Sequence, residues 1–240
     1  MTSGPESFAP TRWTLVLRAR GETAQARAAL SELCEAYYQP VLHFLQREGR
    51  LEDEARELAQ EFFAVVLLGS GFDEADPERG RFRSYLLGAL KHFLADQRKR
   101  ELRLKRGGGI AVESLDVTAD EDTGSLQVAD TTQPLPDAFF DHQWALAVID
   151  RAMTALEQEF EADVKTDQFN ELKVWLMGED PSHSQRDAAR RLGLSEGAVK
   201  VAIHRLRKRF RDVVRAEISQ TLRDSSLLDE ELRHLINALS

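Results

Sequence analysis

The spacing of apolar residues predicts helix along most of the chain. Residues 11–20 read as a short helix. Residues 24–47 read as a longer one that Pro40 should kink or break, because proline lacks an amide proton. Over 51–68, Leu51, Ala55, Leu58, Phe62 and Val65/Val66 recur at the i, i+4, i+7 spacing of one helical face. Gly69-Ser70-Gly71 ends that helix, and Asp76-Pro77-Glu78-Arg79-Gly80 is a loop. Residues 81–100 repeat the period with Phe82, Tyr85/Leu86, Ala89/Leu90, Phe93/Leu94 and Gln97, and Gly107-Gly108-Gly109 stops it. From 110 to about 137 the period is lost and Asp, Thr, Ser and Pro dominate, the composition of a linker. Helical spacing returns over 141–160 (Leu146, Ile149, Met153, Leu156, Phe160) and over 167–177. No stretch alternates like a strand. The expected architecture is all-α, with two helical domains joined by a flexible acidic linker. Its divisions are 1–106, 107–138, 139–216 and a C-terminal extension, 217–240.

The sharpest local signal is SQRDAARRLGLSEGAVKVAIHRLRKRF at 184–210. Ser184 is a good N-cap with Asp187 three residues on. Gly193-Leu194-Ser195 suits a tight turn, and Ser195 caps a second helix. Ala188, Ala189, Leu192, Leu194, Val199, Ile203 and Leu206 would form the shared core. This is the pattern of a helix-turn-helix in the C-terminal domain. Its second helix presents Glu196, Lys200, His204, Arg205, Arg207 and Lys208, and Arg and Lys suit phosphates and guanine edges. A helical hairpin with a solvated basic face is the alternative.

Charge distribution supports the first reading. The 240 residues carry a net −9, which by itself argues against nucleic acid. Yet residues 79–106 carry +8 and residues 186–215 carry +7, while 110–163 carry −12 with Arg151 as the one base. Fields act within about a Debye length of ~8–10 Å, so each basic island can hold phosphates despite the negative total. The basic helix from Arg79 to Arg106 is less specific. Alone it would suit a membrane surface, an RNA or a partner protein. Phe82, Tyr85 and Phe93 among its cations would suit stacking on unpaired bases, or the core.

Other chemistry is thin. One cysteine, Cys34, excludes a disulfide scaffold, and the six histidines show no zinc spacing. The expectation is no catalytic site, no metal and no cofactor. No apolar run approaches a membrane span and MTSGPESFAP is no secretory signal, so a soluble cytoplasmic protein with no membrane partner is expected.

Four segments, in order, resemble bacterial alternative sigma factors of the extracytoplasmic-function (ECF) group, in the sigma-70 superfamily. Glu57-Leu58-Ala59-Gln60-Glu61-Phe62-Phe63 resembles that family's DLxQExF helix. Phe72-Asp73 through Arg79-Gly80-Arg81-Phe82-Arg83-Ser84-Tyr85-Leu86 resembles its FDPERGxFRxWL stretch. Leu94-Ala95-Asp96-Gln97-Arg98-Lys99-Arg100 resembles its xxDxxRR helix, and SEGAVKVAIHRLRKRF its region 4 recognition helix. The resemblance spans roughly 25–106 and 140–216. Tyr85 and His92 stand where the family commonly has Trp and Asn, and Ala55-Arg56-Glu57 replaces a more acidic run. A subgroup tied to Ser/Thr kinase signalling often has Thr where this chain has Ala59.

The resemblance implies an alternative sigma factor that binds core RNA polymerase and promoter DNA, with no catalysis of its own. Glu57, Gln60, Glu61 and Ala64 would face polymerase. Arg79, Arg81, Phe82, Arg83, Tyr85, His92, Arg98 and Lys99 would engage the −10 element. Ser195, Glu196, Lys200, His204, Arg205, Arg207 and Lys208 would engage the −35 element. An anti-sigma factor or a Ser/Thr kinase system would be a regulatory partner. The linker would thread the polymerase channel or serve as a plain tether. In the extension, Ser225 or Ser226 would cap a helix bearing Leu228, Leu232, Leu235/Ile236 and Leu239, packed on its own domain or covering a binding face. A one-component helix-turn-helix regulator independent of polymerase is the alternative function.

Overall fold

The computed structural model describes residues 24–68, 82–107, 135–176, 178, 183–222 and 225–240. Among them the secondary structure is all-α. The helices are α1 (Ala24–Arg47), α2 (Glu52–Leu68), α3 (Phe82–Gly107), α4 (Pro136–Ala162), α5 (Thr166–Leu172), α6 (Gln185–Leu192), α7 (Glu196–Ser219) and α8 (Leu228–Leu239), with short 3-10 turns at Lys173–Trp175 and Ser225–Leu227. The expected helix at 11–20, the loop at 76–80 and nearly all of the acidic stretch lie outside the described residues.

The chain divides into two compact units: Met1–His43 with Asp141–Ser240, and Phe44–Phe140. These limits fall inside α1 and α4 rather than at the change of composition. Helix length accounts for that. At 24 and 27 residues, these helices run about 36 and 40 Å, so their two ends bury against different neighbours.

Of the kink or break expected at Pro40, the break does not occur: α1 runs through it. A proline removes the amide that would serve the carbonyl four residues back, here Ala36. The Arg151 guanidinium supplies the missing donor, its Nη1 lying 2.9 Å from the Ala36 oxygen. Its Nε also donates to Glu217 at 3.1 Å. The one base of the acidic stretch thus joins α1, α4 and α7.

In the first unit the buried face of α4 is Trp144, Ala145, Val148, Ala152 and Leu156. Leu146, expected inside, is 44 % exposed. Phe169, Trp175, Ala188, Val199, Ile203, Leu206 and Phe210 complete that core. In the second unit α2 buries Ala55, Ala59, Phe62 and Phe63 against Leu86, Leu90 and Leu94 of α3. Leu51 and Val65, expected on that face, are exposed. They flank the stripe, and the inward direction turns through Ala59 and Phe63 instead.

Helix α8 packs within its own unit. Leu235 and Glu231 are buried, and Asp229 pairs with Arg215 of α7 at 3.0 Å. His234 Nε2 lies 3.0 Å from Asp141 Oδ2, ion-pair distance but off the line of a hydrogen bond. The N-cap position of α8 is Leu227, which makes no side-chain cap hydrogen bond, and the expected capping serines lie in the 3-10 turn before it.

Candidate nucleic-acid interface

Residues 184–219 form two helices joined by a three-residue turn, and the local chemistry explains the shape. Ser184 Oγ accepts from the Asp187 amide at 3.4 Å, capping α6. Gly193 sits at φ 64°, where a side chain would be strained. The Leu194 amide reaches back to the Ala189 carbonyl at 2.9 Å, closing the helix end. Ser195 Oγ accepts from the Ala198 amide at 3.2 Å and starts α7. Ser195 is thus a cap, and its side chain remains exposed.

Buried Val199, Ile203, Leu206 and Phe210 hold one side of α7 to the core. The opposite side therefore presents Glu196, Lys200, His204 and Lys208 in one i, i+4 row, with Val201 and Arg205 beside it, all exposed. Among the described residues, no acid pairs with Lys200, Arg205 or Lys208. Val201, 50 % exposed, was missed in the sequence reading, which collected polar groups; an apolar side chain here fits a thymine methyl. Leu194, expected in the core, is exposed at the turn.

Arg207 departs from expectation. It is only partly exposed, donating from Nε to the Trp175 carbonyl at 2.7 Å and from Nη2 to the Gly178 carbonyl at 2.9 Å. Both carbonyls follow α5, and Arg207 ties α7 to them. It positions α7. Arg209 makes a bidentate pair with Glu159 of α4, at 2.8 and 2.5 Å. Hydrogen bonding from Arg209 holds the Glu159 carboxyl below its ordinary value.

Helix α3 carries the second set. Arg79 and Arg81 lie outside the described residues. Phe82 and Arg83, expected at the DNA face, are buried, at 4 and 3 % exposure. Both fall on the same side as Leu86 and Leu90, which the helical period takes into the core. Tyr85 is partly exposed, its ring 6.3 Å from that of Phe82. Phe93 packs on Phe62 at 5.6 Å, a core contact. His92, Arg98 and Lys99 are exposed. Arg98 pairs with Glu48 at 2.8 Å, and Lys99 with Asp96 at 3.4 Å.

Opposite the buried stripe of α2, Glu57, Gln60, Glu61 and Ala64 share one exposed face. Three acids in the first turn, Glu52, Asp53 and Glu54, favour this helix start through its dipole. Ala59 is fully buried. Burial pushes the Cys34 thiol up to about 12, which keeps it protonated and unreactive.

Residues 18–216 match the family described as ECF sigma factor. The chain belongs to the ECF sigma factor family. No curated protein and no solved structure matches it. Membership carries a role in transcription initiation with RNA polymerase at promoters, and ECF sigma factors are DNA-binding regulators rather than enzymes. No helix among the described residues is long and apolar enough to cross a membrane. Helix α8 begins beyond the matched span.

Proposed function

We propose that this ECF sigma factor directs core RNA polymerase to promoters by reading the −35 element with the N-terminal half of α7. The −10 element falls to the solvent side of α3, through His92, Arg98, Lys99 and the exposed edge of Tyr85. The Glu57–Ala64 face of α2 meets polymerase. Residues 1–106 then act as the −10 and polymerase module, and 139–216 as the −35 module. The acidic residues between serve as the connection.

The observation that carries this reading is the exposed row on α7. Lys200, His204, Arg205 and Lys208 leave a capped helix whose other side is buried. A helix so presented fits the major groove, where Arg makes bidentate contacts with guanine. The family match to both halves of the chain favours this over a regulator that works without polymerase.

Transcription in vitro with bacterial core polymerase and a library of genomic fragments tests it. Transcripts with fixed start sites should appear only when this chain is added. Absence of such transcripts, with no co-elution of chain and core enzyme, overturns the reading.

A further inference from the structure

The basic helix α3 is not bare in the free chain. Lys91 pairs with Asp137. Arg98 pairs with Glu48 at 2.8 Å and Lys99 with Asp96 at 3.4 Å. Arg100 lies 3.5 Å from Glu61. Arg50, at the foot of α2, joins the same set by bridging Glu54 at 2.5 Å and Glu101 at 3.1 Å. Carboxylates thus occupy, within one unit, the cations that a DNA backbone would otherwise hold. A carboxylate and a phosphate oxygen present the same charge-assisted acceptor to a guanidinium.

One of these acids differs from the rest by position. Glu61 stands on the exposed face of α2 with Glu57, Gln60 and Ala64, three or four residues apart. That face is the one assigned above to polymerase, and the present inference rests on that assignment. We infer that Glu61 masks Arg100 from DNA phosphate in the free chain and releases it when polymerase engages the α2 face, so that DNA contact by α3 is coupled to polymerase binding.

The physics limits the size of the effect. Both side chains are near half exposed, at 46 and 64 %, so the pair is solvent-screened and worth little alone. Competition with a phosphate is nevertheless direct, since one guanidinium cannot serve both acceptors in the same geometry. Freeing Arg100 adds one counterion-releasing contact, which steepens the salt dependence by about one unit.

A double-mutant cycle reads the coupling. Glu61→Gln, Arg100→Gln and the double variant are measured for binding to a fluorescein-labelled forked DNA oligonucleotide by anisotropy, across a salt series. Each is measured as the free chain and with saturating core polymerase. Glu61→Gln should bind the probe about two- to fivefold more tightly as the free chain, the range an exposed ion pair supports. The gain should vanish in the Arg100→Gln background and in the polymerase complex. Glu57→Gln removes the same charge one turn away and should give a smaller gain. Equal gains from Glu57→Gln and Glu61→Gln, a gain that survives Arg100→Gln, or no gain at all each overturns the masking. Both positions are surface-exposed, and far-UV circular dichroism verifies that the variants fold. Wild-type chain that fails to bind core polymerase overturns the function proposed above. Intact polymerase binding with a flat cycle overturns the masking alone.

Discussion

Helices α3 and α7 are both basic in the sequence and present their cations differently. On α7 the cations Lys200, Arg205 and Lys208 face solvent with no acidic partner among the described residues. On α3, Lys91, Arg98, Lys99 and Arg100 each lie beside a carboxylate. The difference arises from neighbours. Glu61 of α2, Asp137 of α4 and Glu48 after α1 reach the cations of α3, and Asp96 of α3 itself serves Lys99, whereas the acids that reach α7 pair with Arg209 and Arg215. A basic helix is therefore ready for DNA only when the fold keeps its acids away.

The largest expected effect separates two arginines two residues apart on α7. Arg205→Ala should weaken −35 binding by about 1–3 kcal/mol and relax base preference, with folding unchanged. Promoter selection by the variant holoenzyme measures this, and an unchanged preference breaks the comparison at its strong end. Arg207→Ala should do the reverse. It removes the hydrogen bonds to the Trp175 carbonyl and to the exposed Gly178 carbonyl, so stability should fall by about 1 kcal/mol in urea unfolding, while base preference at saturating protein stays as in wild type. Loss of preference in Arg207→Ala without loss of stability would move Arg207 back to the DNA face.

A smaller effect is pH-dependent. The Glu159 carboxyl is held below its unfolded value of about 4.5 by Arg209. Its contribution is complete above that value and is lost as pH falls through the lower folded value. The pair is 41–51 % exposed, so after allowance for solvent screening less than about 1 kcal/mol is at stake. Urea midpoints at pH 6 and pH 3.5 should converge between wild type and Arg209→Ala at the acid end. A constant difference would place the role of Arg209 in packing. The smallest effect compares the helices directly. In the free chain Lys208→Gln should lower DNA affinity and reduce the salt slope by about one, whereas Lys99→Gln, already paired with Asp96, should change affinity less than about twofold. Equal losses would erase the distinction between α3 and α7.

How far the site was legible depended on how local its causes are. The two caps, the Gly193 turn and the row at 196, 200, 204 and 208 follow from residues a turn apart. Helical period therefore located them. Arg207 and Arg205 look alike in sequence. What distinguishes them is a pair of carbonyls about thirty residues away in the chain, which no period encodes. The stripe on α4 was misplaced because Leu146 was counted as core, while Trp144 and Ala145 point inward. The sequence around Pro40 suggests a kink or break, because the donor that replaces its missing amide, Arg151, comes from more than a hundred residues on.

The sequence alone determined an all-α chain, its main helices, a capped pair of helices near the C-terminus, two basic islands and a family resemblance that the match over residues 18–216 bears out. These rest on short-range terms: side-chain periodicity, capping chemistry and backbone freedom at glycine. Tertiary structure alone decided that α1 passes through Pro40 unbroken, that Phe82 and Arg83 are buried, and that Arg207 reaches the Trp175 and Gly178 carbonyls. It also decided that Lys91, Arg98, Lys99 and Arg100 of α3 lie beside carboxylates, while Lys200, Arg205 and Lys208 of α7 have no acidic partner among the described residues. Each of these depends on which distant donor or acceptor arrives at a given carbonyl, ring or charge. That arrival is set by the packing of whole helices, whose burial energy outweighs any single local preference.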